Sequence, residues 1–328
     1  MLQSCANALL FKGTCEYRPW LIRLALVLGA DLGATTAECR NTPLHKALTL
    51  DKTEQALPVI RLLIESGAPV NAQNAFGIPP LHFTIPHRSE SDIPALLLAR
   101  GADPCLAAND GDTAILRAAQ FSDIAITGLL LTRGAPINSR NGKGQTPLHL
   151  ACEKVNPEYL SFLLAKGADT NLADNEGVTP LHIAARRGID PMINTLIDHG
   201  ANPNVFNKNG FTPLHVAAMS TAPSTVDALL ARGANIDAHI PGGRTALMVA
   251  VDEERVHVAR MLVARGADLH IADSTGRNIF DRSLTNMQVM LKLALANPMP
   301  ATPPAQPGPT RHGDIIRPHP RPSSTPKL

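Results

Sequence analysis

The sequence predicts an all-α repeat solenoid, because two short motifs recur in step along most of its 328 residues. The first motif, Thr-Pro-Leu-His, begins at Thr42, Thr146, Thr179 and Thr212. Degenerate copies extend it, so that from residue 113 to residue 278 the same position returns every 33 residues. A Gly-Ala pair keeps the same register, with its glycines at Gly29, Gly67, Gly101, Gly134, Gly167, Gly200, Gly233 and Gly266. A fixed period of this length is typical of stacked helical repeats.

A first helix is predicted to begin at each Thr-Pro-Leu-His motif. The threonine is a favoured N-cap, since its hydroxyl accepts a hydrogen bond from a backbone N–H that the helix leaves without a partner. The proline follows at the position where a missing N–H costs nothing. An alanine stands five residues after the threonine position in most repeats and lets neighbouring helices approach closely: Ala47, Ala118, Ala151, Ala184, Ala217 and Ala250.

A second helix is predicted between the first helix and the Gly-Ala pair. Apolar residues recur there at helical spacing, as in Leu160, Leu163 and Leu164. A leucine stands four residues before each glycine from Gly67 onward, at Leu63, Leu97, Leu130, Leu163, Leu196, Leu229 and Leu262. The glycine then ends the helix, because it adopts the left-handed conformation without a Cβ penalty.

These two motifs in one register resemble the ankyrin repeat family over about residues 2–297. The resemblance implies helix-turn-helix pairs joined by β-hairpin-like loops that project as fingers. It also implies that the motif histidines bond to the backbone of those loops. In this family the fingertips and the ends of the inner helices line one concave face and vary between proteins.

The repeats divide the chain into about nine units and a tail. Residues 1–38 read as a degenerate N-terminal cap, residues 39–273 as seven full repeats and residues 274–297 as a C-terminal cap. The tail, residues 298–328, is rich in proline and basic, which predicts disorder with polyproline II character. It carries P-x-x-P matches, which indicate either a ligand for aromatic-lined grooves or a solvated tail without a partner.

Composition excludes several classes of function. A net charge of +2 and 3% aromatic residues give no basis for nucleic-acid binding. The apolar stretch from Leu21 to Leu28 is too short to cross a bilayer, and the N-terminus lacks the basic region of a secretory signal. Five scattered cysteines fit a reducing, cytoplasmic or otherwise intracellular setting.

The sequence offers no strong candidate for catalysis, and a non-enzyme without a cofactor is expected. His149 beside Cys152 belongs to the recurring motif, so a buried structural cysteine is favoured over a nucleophile. Gly142-Lys143-Gly144 lacks the upstream glycine of a phosphate-binding loop and reads as a hairpin tip. No metal-ligand spacing accompanies the histidines.

The resemblance places the variable positions of the central repeats on the concave face. Val178 and Phe211 are expected to be exposed there, beside Arg186 and Arg187, and arginine and aromatic residues are enriched at binding hot spots. A solvated face with incidental apolar residues is the alternative. The predicted partner-binding residues are Lys143, Gln145, Glu153, Lys154, Glu176, Val178, Arg186, Arg187, Lys208, Phe211 and Met219.

A modification is also implied by the resemblance. Cytosolic ankyrin repeats can be hydroxylated on an asparagine that follows the Gly-Ala pair. That position is held here by Asn71, Asn138, Asn171 and Asn204.

The leading functional prediction is therefore a monomeric scaffold or adaptor that binds another protein through the concave face. The alternative is a substrate-recruiting subunit of a multi-chain enzyme such as a ubiquitin ligase. Neither nucleic acid nor a membrane is an expected partner, and the sequence does not identify the protein that is bound.

Overall fold

The computed structural model describes residues 2–50, 54–85, 92–220 and 222–282. Within these ranges the chain forms helices joined by turns, and β-structure is limited to two isolated bridges, Ala107 with Thr113 and His239 with Thr245. The predicted all-α solenoid is confirmed. The remainder of the C-terminal cap from residue 283, the tail at 298–328 and part of the inter-helix segment near residues 50–55 lie outside these ranges.

The helices alternate between an inner and an outer layer. The inner helices are α1 (Leu2–Cys15), α3 (Pro43–Thr49), α5 (Pro80–Phe83), α7 (Ala114–Gln120), α9 (Pro147–Lys154), α11 (Pro180–Arg187), α13 (Pro213–Ala218), α15 (Ala246–Asp252) and α17 (Ile279–Arg282). The outer helices are α2 (Pro19–Val27), α4 (Leu57–Glu65), α6 (Ile93–Ala99), α8 (Ile124–Thr132), α10 (Pro157–Ala165), α12 (Asp190–Asp198), α14 (Pro223–Ala231) and α16 (Val256–Ala264). A short 3₁₀ helix, Glu54–Ala56, precedes α4. Inner helices pack on inner helices and outer on outer, which gives a two-layer solenoid.

The motif sets the start of the inner helices. Thr179 has an extended backbone with ψ 164°, and Pro180 is the first helical residue. In α3 and α13 the threonine hydroxyl accepts a hydrogen bond from the backbone N–H of the motif histidine, at 3.4 Å for both His45 and His215. The threonine therefore caps these helices as its residue type predicts.

The core lies between the two layers. The leucine that stands four residues before each glycine is buried in every described repeat, from Leu63 at 0% exposure to Leu262 at 0%. Two buried clusters divide the solenoid and meet on α7, where Ile115 belongs to the N-terminal cluster and Leu116 to the C-terminal one. Each repeat thus buries its apolar stripe only against its neighbours, and the repeats stabilise one another.

Hairpin-like fingers connect the units. In the finger at residues 174–178, the backbone N–H of Asp174 donates to the Val178 carbonyl at 2.8 Å. The Asp174 carboxylate accepts from the backbone N–H groups of Glu176 and Val178 at 2.8 and 2.9 Å. Gly177 takes a φ of +74°, and a Cβ there would lie 2.9 Å from the backbone nitrogen of Lys208. Glycine is therefore required both for the turn and for the close approach of the next finger.

A row of backbone hydrogen bonds joins successive fingers. One N–H near each fingertip donates to the carbonyl of the preceding fingertip, as Asn175 does to Lys143 and Lys208 does to Glu176, both at 2.9 Å. The row resumes where Ser274 donates to Gly242 at 2.9 Å. At the intervening step the equivalent residue is Pro241, which has no N–H. Among the described residues, this row of hydrogen bonds is therefore interrupted at one step, between the fingers at residues 207–211 and 240–244.

Candidate functional site

The motif histidines form hydrogen bonds that hold the inner helices to the connections between repeats. In α11 the backbone N–H of Thr179 donates to Nδ1 of His182 at 3.2 Å, and Nε2 of His182 lies 3.0 Å from the Phe211 carbonyl. Because a backbone N–H can only donate, Nδ1 accepts, and Nε2 carries the hydrogen and donates. His45 and His149 reach the next finger in the same way, at 3.0 and 2.9 Å. Nε2 of His82 lies 3.1 Å from the Leu106 carbonyl, in the connection ahead of the next finger. The expected bonds to the backbone of the connections are confirmed for His45, His82, His149 and His182, whereas Nε2 of His215 has no hydrogen-bond partner among the described residues.

Burial keeps these histidines neutral. Desolvation lowers the pKa of His45, His149 and His182 below its usual value, although their backbone hydrogen bonds oppose the shift. The same cause lowers the pKa of His82 and of His215 to about 4. Both ring nitrogens of His45, His149 and His182 are hydrogen-bonded within the fold. The groups of His, Cys, Asp and Glu in the described ranges include no cluster that would hold a metal ion.

Cys152 is fully buried in α9, and burial, followed by the nearby Glu153 charge, raises the pKa of its thiol. A protonated thiol away from solvent is a poor nucleophile. This agrees with the interpretation of Cys152 as a packing residue.

The fingers and the C-terminal ends of the inner helices enclose a groove, the surface on which partner binding was predicted. A cavity of about 330 Å³ lies in it, between the fingers of two neighbouring repeats and the inner helices beneath them. Asp110 and Lys143 contribute from the fingertips, and Gln120 and Leu150 from the helices. Of the predicted partner-binding residues, Lys143 and Gln145 line this cavity.

Part of this groove is paired internally. Nε2 of Gln145 on a finger donates to Glu153 at the end of α9 at 2.8 Å. Three repeats later, Arg244 and Asp252 form a salt bridge of 3.4 Å at the same two positions. Gln145 and Glu153 were predicted as separate contacts to a partner, but the fold brings these residues, eight apart in sequence, together. To contact a bound protein, Gln145 and Glu153 would have to give up the hydrogen bond between them.

The repeats between those two pairs are different. At the equivalent positions stand Val178 with Arg186 and Phe211 with Met219, which cannot pair in this way. Arg186 and Arg187 lie exposed at the end of α11, and neither forms an ion pair in the part of the chain that the structure describes.

The expected exposure of Val178 and Phe211 was wrong. Both are half-buried and pack against the core cluster. The ring of Phe211 meets the ring of His215 edge-on, with centroids 6.1 Å apart. Their side chains turn inward because each residue is the last of its finger and sits over the start of the following helix. Met219, by contrast, is 42% exposed.

The other predicted contacts lie on the surface. Lys143, Glu176 and Lys208 are exposed on three successive fingers that the backbone row joins, and Lys154 is exposed at the end of α9. The groove therefore carries basic side chains from α9, α11 and two fingers, with one acidic fingertip among them.

Two aromatic residues in the groove were missed from the sequence. Phe76 is 58% exposed at the fingertip position that Lys143 and Glu176 hold in later repeats. Phe121 is 51% exposed at the helix-end position of Lys154 and Arg187. Reading the same register in the N-terminal repeats would have found both.

The four asparagines predicted as hydroxylation sites link consecutive repeats. Nδ2 of Asn171 donates to the Gly200 carbonyl at 2.8 Å, and its Oδ1 accepts from the Asn202 backbone at 2.9 Å. Asn71 and Asn204 make the same pair of bonds to their next repeats, and Oδ1 of Asn138 accepts from Asp169. This bracing role was not predicted from the sequence.

The fold and the groove together define a helical repeat protein of the protein-binding class. Profiles of the ankyrin repeat match residues 39–75 and, in overlapping sets of three copies, residues 92–174, 115–207, 156–240 and 203–273. The chain belongs to the ankyrin repeat family.

Individual relatives are similar over short stretches. Rabankyrin-5 of Mus musculus is 30% identical over 104 residues, which are 30% of this chain and 9% of the relative. The E3 ubiquitin-protein ligase KEG of Arabidopsis thaliana is 30% identical over 99 residues, which are 30% of this chain and 6% of the relative. The chain thus spans less than a tenth of these curated relatives.

No helix in the described ranges is long and apolar enough to cross a membrane.

Proposed function

We propose that the protein is an interaction scaffold or adaptor that binds a partner protein in the groove, centred on residues 142–219. Ankyrin repeats are protein-interaction modules. The observation that supports this location is the change in the groove between repeats. Polar positions are paired internally at Gln145 with Glu153 and at Arg244 with Asp252. Arg186 and Arg187 between them are exposed and form no ion pair with any residue that the structure describes.

The chemistry of this region favours a partner segment that is acidic and carries an apolar anchor. Arg186, Arg187 and Lys208 supply positive charge, and Met219 supplies exposed apolar surface that adapts to an irregular partner. The exposed Glu253 and Glu254 follow in the next repeat. An acidic segment therefore fits over the arginines in one orientation, because the opposite placement brings like charges together.

A peptide-display selection against the purified chain tests this proposal. Selected peptides should be enriched in Asp and Glu around an apolar residue. The Arg186→Glu, Arg187→Glu double variant should bind the best peptide at least ~10-fold more weakly. Phe211→Ala is a poor test, since the half-buried ring packs on the core and its loss would cost stability.

The matched control is the Arg133→Glu, Arg260→Glu double variant. Both arginines are exposed on or beside outer helices, and the change in net charge is the same. If both double variants lose the peptide equally, long-range charge rather than the groove explains binding. If neither does, the partner lies elsewhere, and the outer surface or the Pro-rich tail is the next candidate.

Hydroxylation of Asn71, Asn138, Asn171 and Asn204 is a second proposal. The amide of Asn171 is engaged on both its polar atoms, so a modifying enzyme must lift the loop from the next repeat. Added oxygen should therefore appear faster on a synthetic loop peptide than on the folded chain when each is treated with an asparaginyl hydroxylase and measured by mass spectrometry. An unmodified peptide would contradict the proposal.

The alternative function is a substrate-recruiting subunit of a multi-chain enzyme. Its support is the similarity to one relative that is named an E3 ubiquitin-protein ligase. Co-purification with a ligase, together with ubiquitin transfer to the groove-bound partner, would favour it over a plain adaptor. In both cases we propose a non-catalytic binding unit in an intracellular setting, where the free cysteines would stay reduced.

A further inference from the structure

The outer helix of the first helix pair carries an apolar stripe on its surface. Trp20, Leu24 and Leu28 are 59%, 43% and 51% exposed. They are four residues apart along α2 and its C-cap, so they lie on one face of the helix. Val27, 85% exposed, borders this face. We call Trp20, Leu24 and Leu28 the α2 stripe.

The same three positions serve as a stacking surface in later repeats. They fall nine, five and one residues before the glycine that ends each outer helix. At the first position of α6, Asp92 forms a salt bridge of 2.7 Å with Arg61 of α4. At the second position of α10, Phe162 lies against Gly128 of α8. Both contacts point from one outer helix to the outer helix before it.

The third position does the same. Arg232 at the end of α14 pairs with Asp198 of α12, and Arg265 at the end of α16 pairs with Asp227 of α14. The α2 stripe therefore occupies the positions by which the solenoid docks one outer helix on another. In α2 these positions face away from the next repeat.

The residue types of the α2 stripe restrict what covers it. Later repeats place charged residues at the first or third of these positions against an opposite charge on the preceding helix, as Asp92, Arg232 and Arg265 show, but the α2 stripe has no charged member. A matching surface must present large apolar side chains at the same helical spacing. The other exposed large apolar residues in the described ranges do not share a helix face in this way: Leu2, Phe76, Phe121, Val155, Phe206 and Met219. The matching stripe in this part of the molecule is α2 of a second copy.

We propose that two copies of the chain associate through the α2 stripe, with their α2 helices antiparallel about a two-fold axis. Closed dimers with self-complementary surfaces are the commonest symmetric assemblies. This arrangement sets Leu24 against Leu24 of the partner subunit and Trp20 against Leu28 of the partner subunit. It departs from the monomer expected from the sequence.

The size of the stripe predicts a weak dimer. Three side chains expose on the order of a few hundred Å² of apolar surface on each copy, which is less than a standard stable interface buries and belongs to the weak, transient class. The dimer should therefore form with a dissociation constant in the micromolar range or above.

Analytical ultracentrifugation of the full chain tests the proposal, from about 1 to about 200 µM with a reductant that keeps the exposed cysteines from cross-linking. The wild type should approach the dimer mass as concentration rises. Leu24→Asp should lower the association constant at least ~10-fold, because it places a charge at the centre of the apolar contact. The control Phe206→Asp changes a side chain of similar exposure, 51%, and should associate as the wild type does.

Trp20, the single tryptophan of the chain, shows by its fluorescence whether the dimer forms through the α2 stripe. Its quenching by acrylamide should fall with concentration in the wild type and in Phe206→Asp, and stay constant in Leu24→Asp. A chain that is monomeric throughout would overturn the proposal. So would a dimer that Leu24→Asp leaves intact, or one in which Trp20 remains fully accessible. Circular dichroism melts of the three proteins show whether each variant is folded.

Discussion

At the scale of single residues, the motif histidines show what a one-residue departure does to a local network that recurs from repeat to repeat. Nδ1 of His82 is buried and has no hydrogen-bond partner, whereas Nδ1 of His45, His149 and His182 accepts from a threonine backbone N–H. The residue at the threonine position before His82 is Pro79, which has neither an N–H nor a hydroxyl. The buried nitrogen is therefore left unsatisfied by the sequence itself.

Replacing Pro79 by threonine should stabilise the protein by about 1 kcal/mol. The change supplies a donor to His82 and an N-cap hydroxyl to α5, against a smaller loss from the greater freedom of the unfolded chain. Pro79 already has the extended backbone of the capping threonines, with ψ 162°. The measurement is the urea midpoint. A Pro79→Thr variant that is no more stable than wild type would refute this explanation. In another repeat, loss of the capping threonine by Thr179→Ala should lower the free energy of unfolding by about 1 kcal/mol.

At the scale of elements, the connections do more than reverse the chain direction, which is all that the turn signals in the sequence indicate. They also hydrogen-bond neighbouring repeats to each other. Gly and Asn residues predict turns, but the bonds from Asn171 to Gly200 and Asn202 join two different repeats. Asp237 keeps only the acceptor half of this arrangement, receiving the backbone N–H of Asp268 at 3.0 Å. The asparagine position is thus part of the interface between repeats.

Asn171→Ala should lower the free energy of unfolding by about 1 kcal/mol, because two hydrogen bonds to the next repeat are lost at an exposed site. Asn209→Ala is the matched control. Asn209 is an exposed fingertip residue whose side-chain amide has no hydrogen-bond partner among the described residues. Denaturant unfolding should separate the two variants. Equal stability of both would show that the bridging amide contributes nothing measurable.

At the scale of the whole molecule, the buried histidines couple stability to pH. The pKa of His82 and of His215 falls from 6.5 to about 4 on folding, chiefly through desolvation. Between these values the unfolded chain binds protons that the folded chain does not, so stability present above pH 6.5 is lost as the pH falls toward 4. Each of the two should contribute about 2 kcal/mol of this loss between pH 7.5 and pH 5.

Urea midpoints at several pH values across that window check this prediction. His215→Gln should be less stable at neutral pH but show a shallower pH dependence, since one titrating group is removed. A midpoint that stays constant or rises on acidification would contradict the burial of neutral histidines.

The sequence predicted the fold well because the period is a local signal repeated many times. The N-cap threonines, the leucine ladder and the glycine caps each act within one unit, and all are found where they were placed. The site was predicted less well. The pairing of Gln145 with Glu153 depends on how a finger folds back over its helix, and the inward packing of Phe211 depends on the core beneath it. Neither can be read from residue type and register alone.

The missing donor at Pro241 gives the array a mechanical asymmetry. Every other described step from one fingertip to the next is tied by a backbone bond between the fingers. This step is held instead by helix packing, by the Asn204 amide, by the Arg265–Asp227 ion pair and by the hydrogen bond from Arg255 to the Met219 carbonyl. Pulled from its two ends, the solenoid should yield there first. It would part into a longer block that carries the arginines of α11 and a shorter block that carries Glu253 and Glu254. A bound segment that contacts both blocks would stabilise this step against separation.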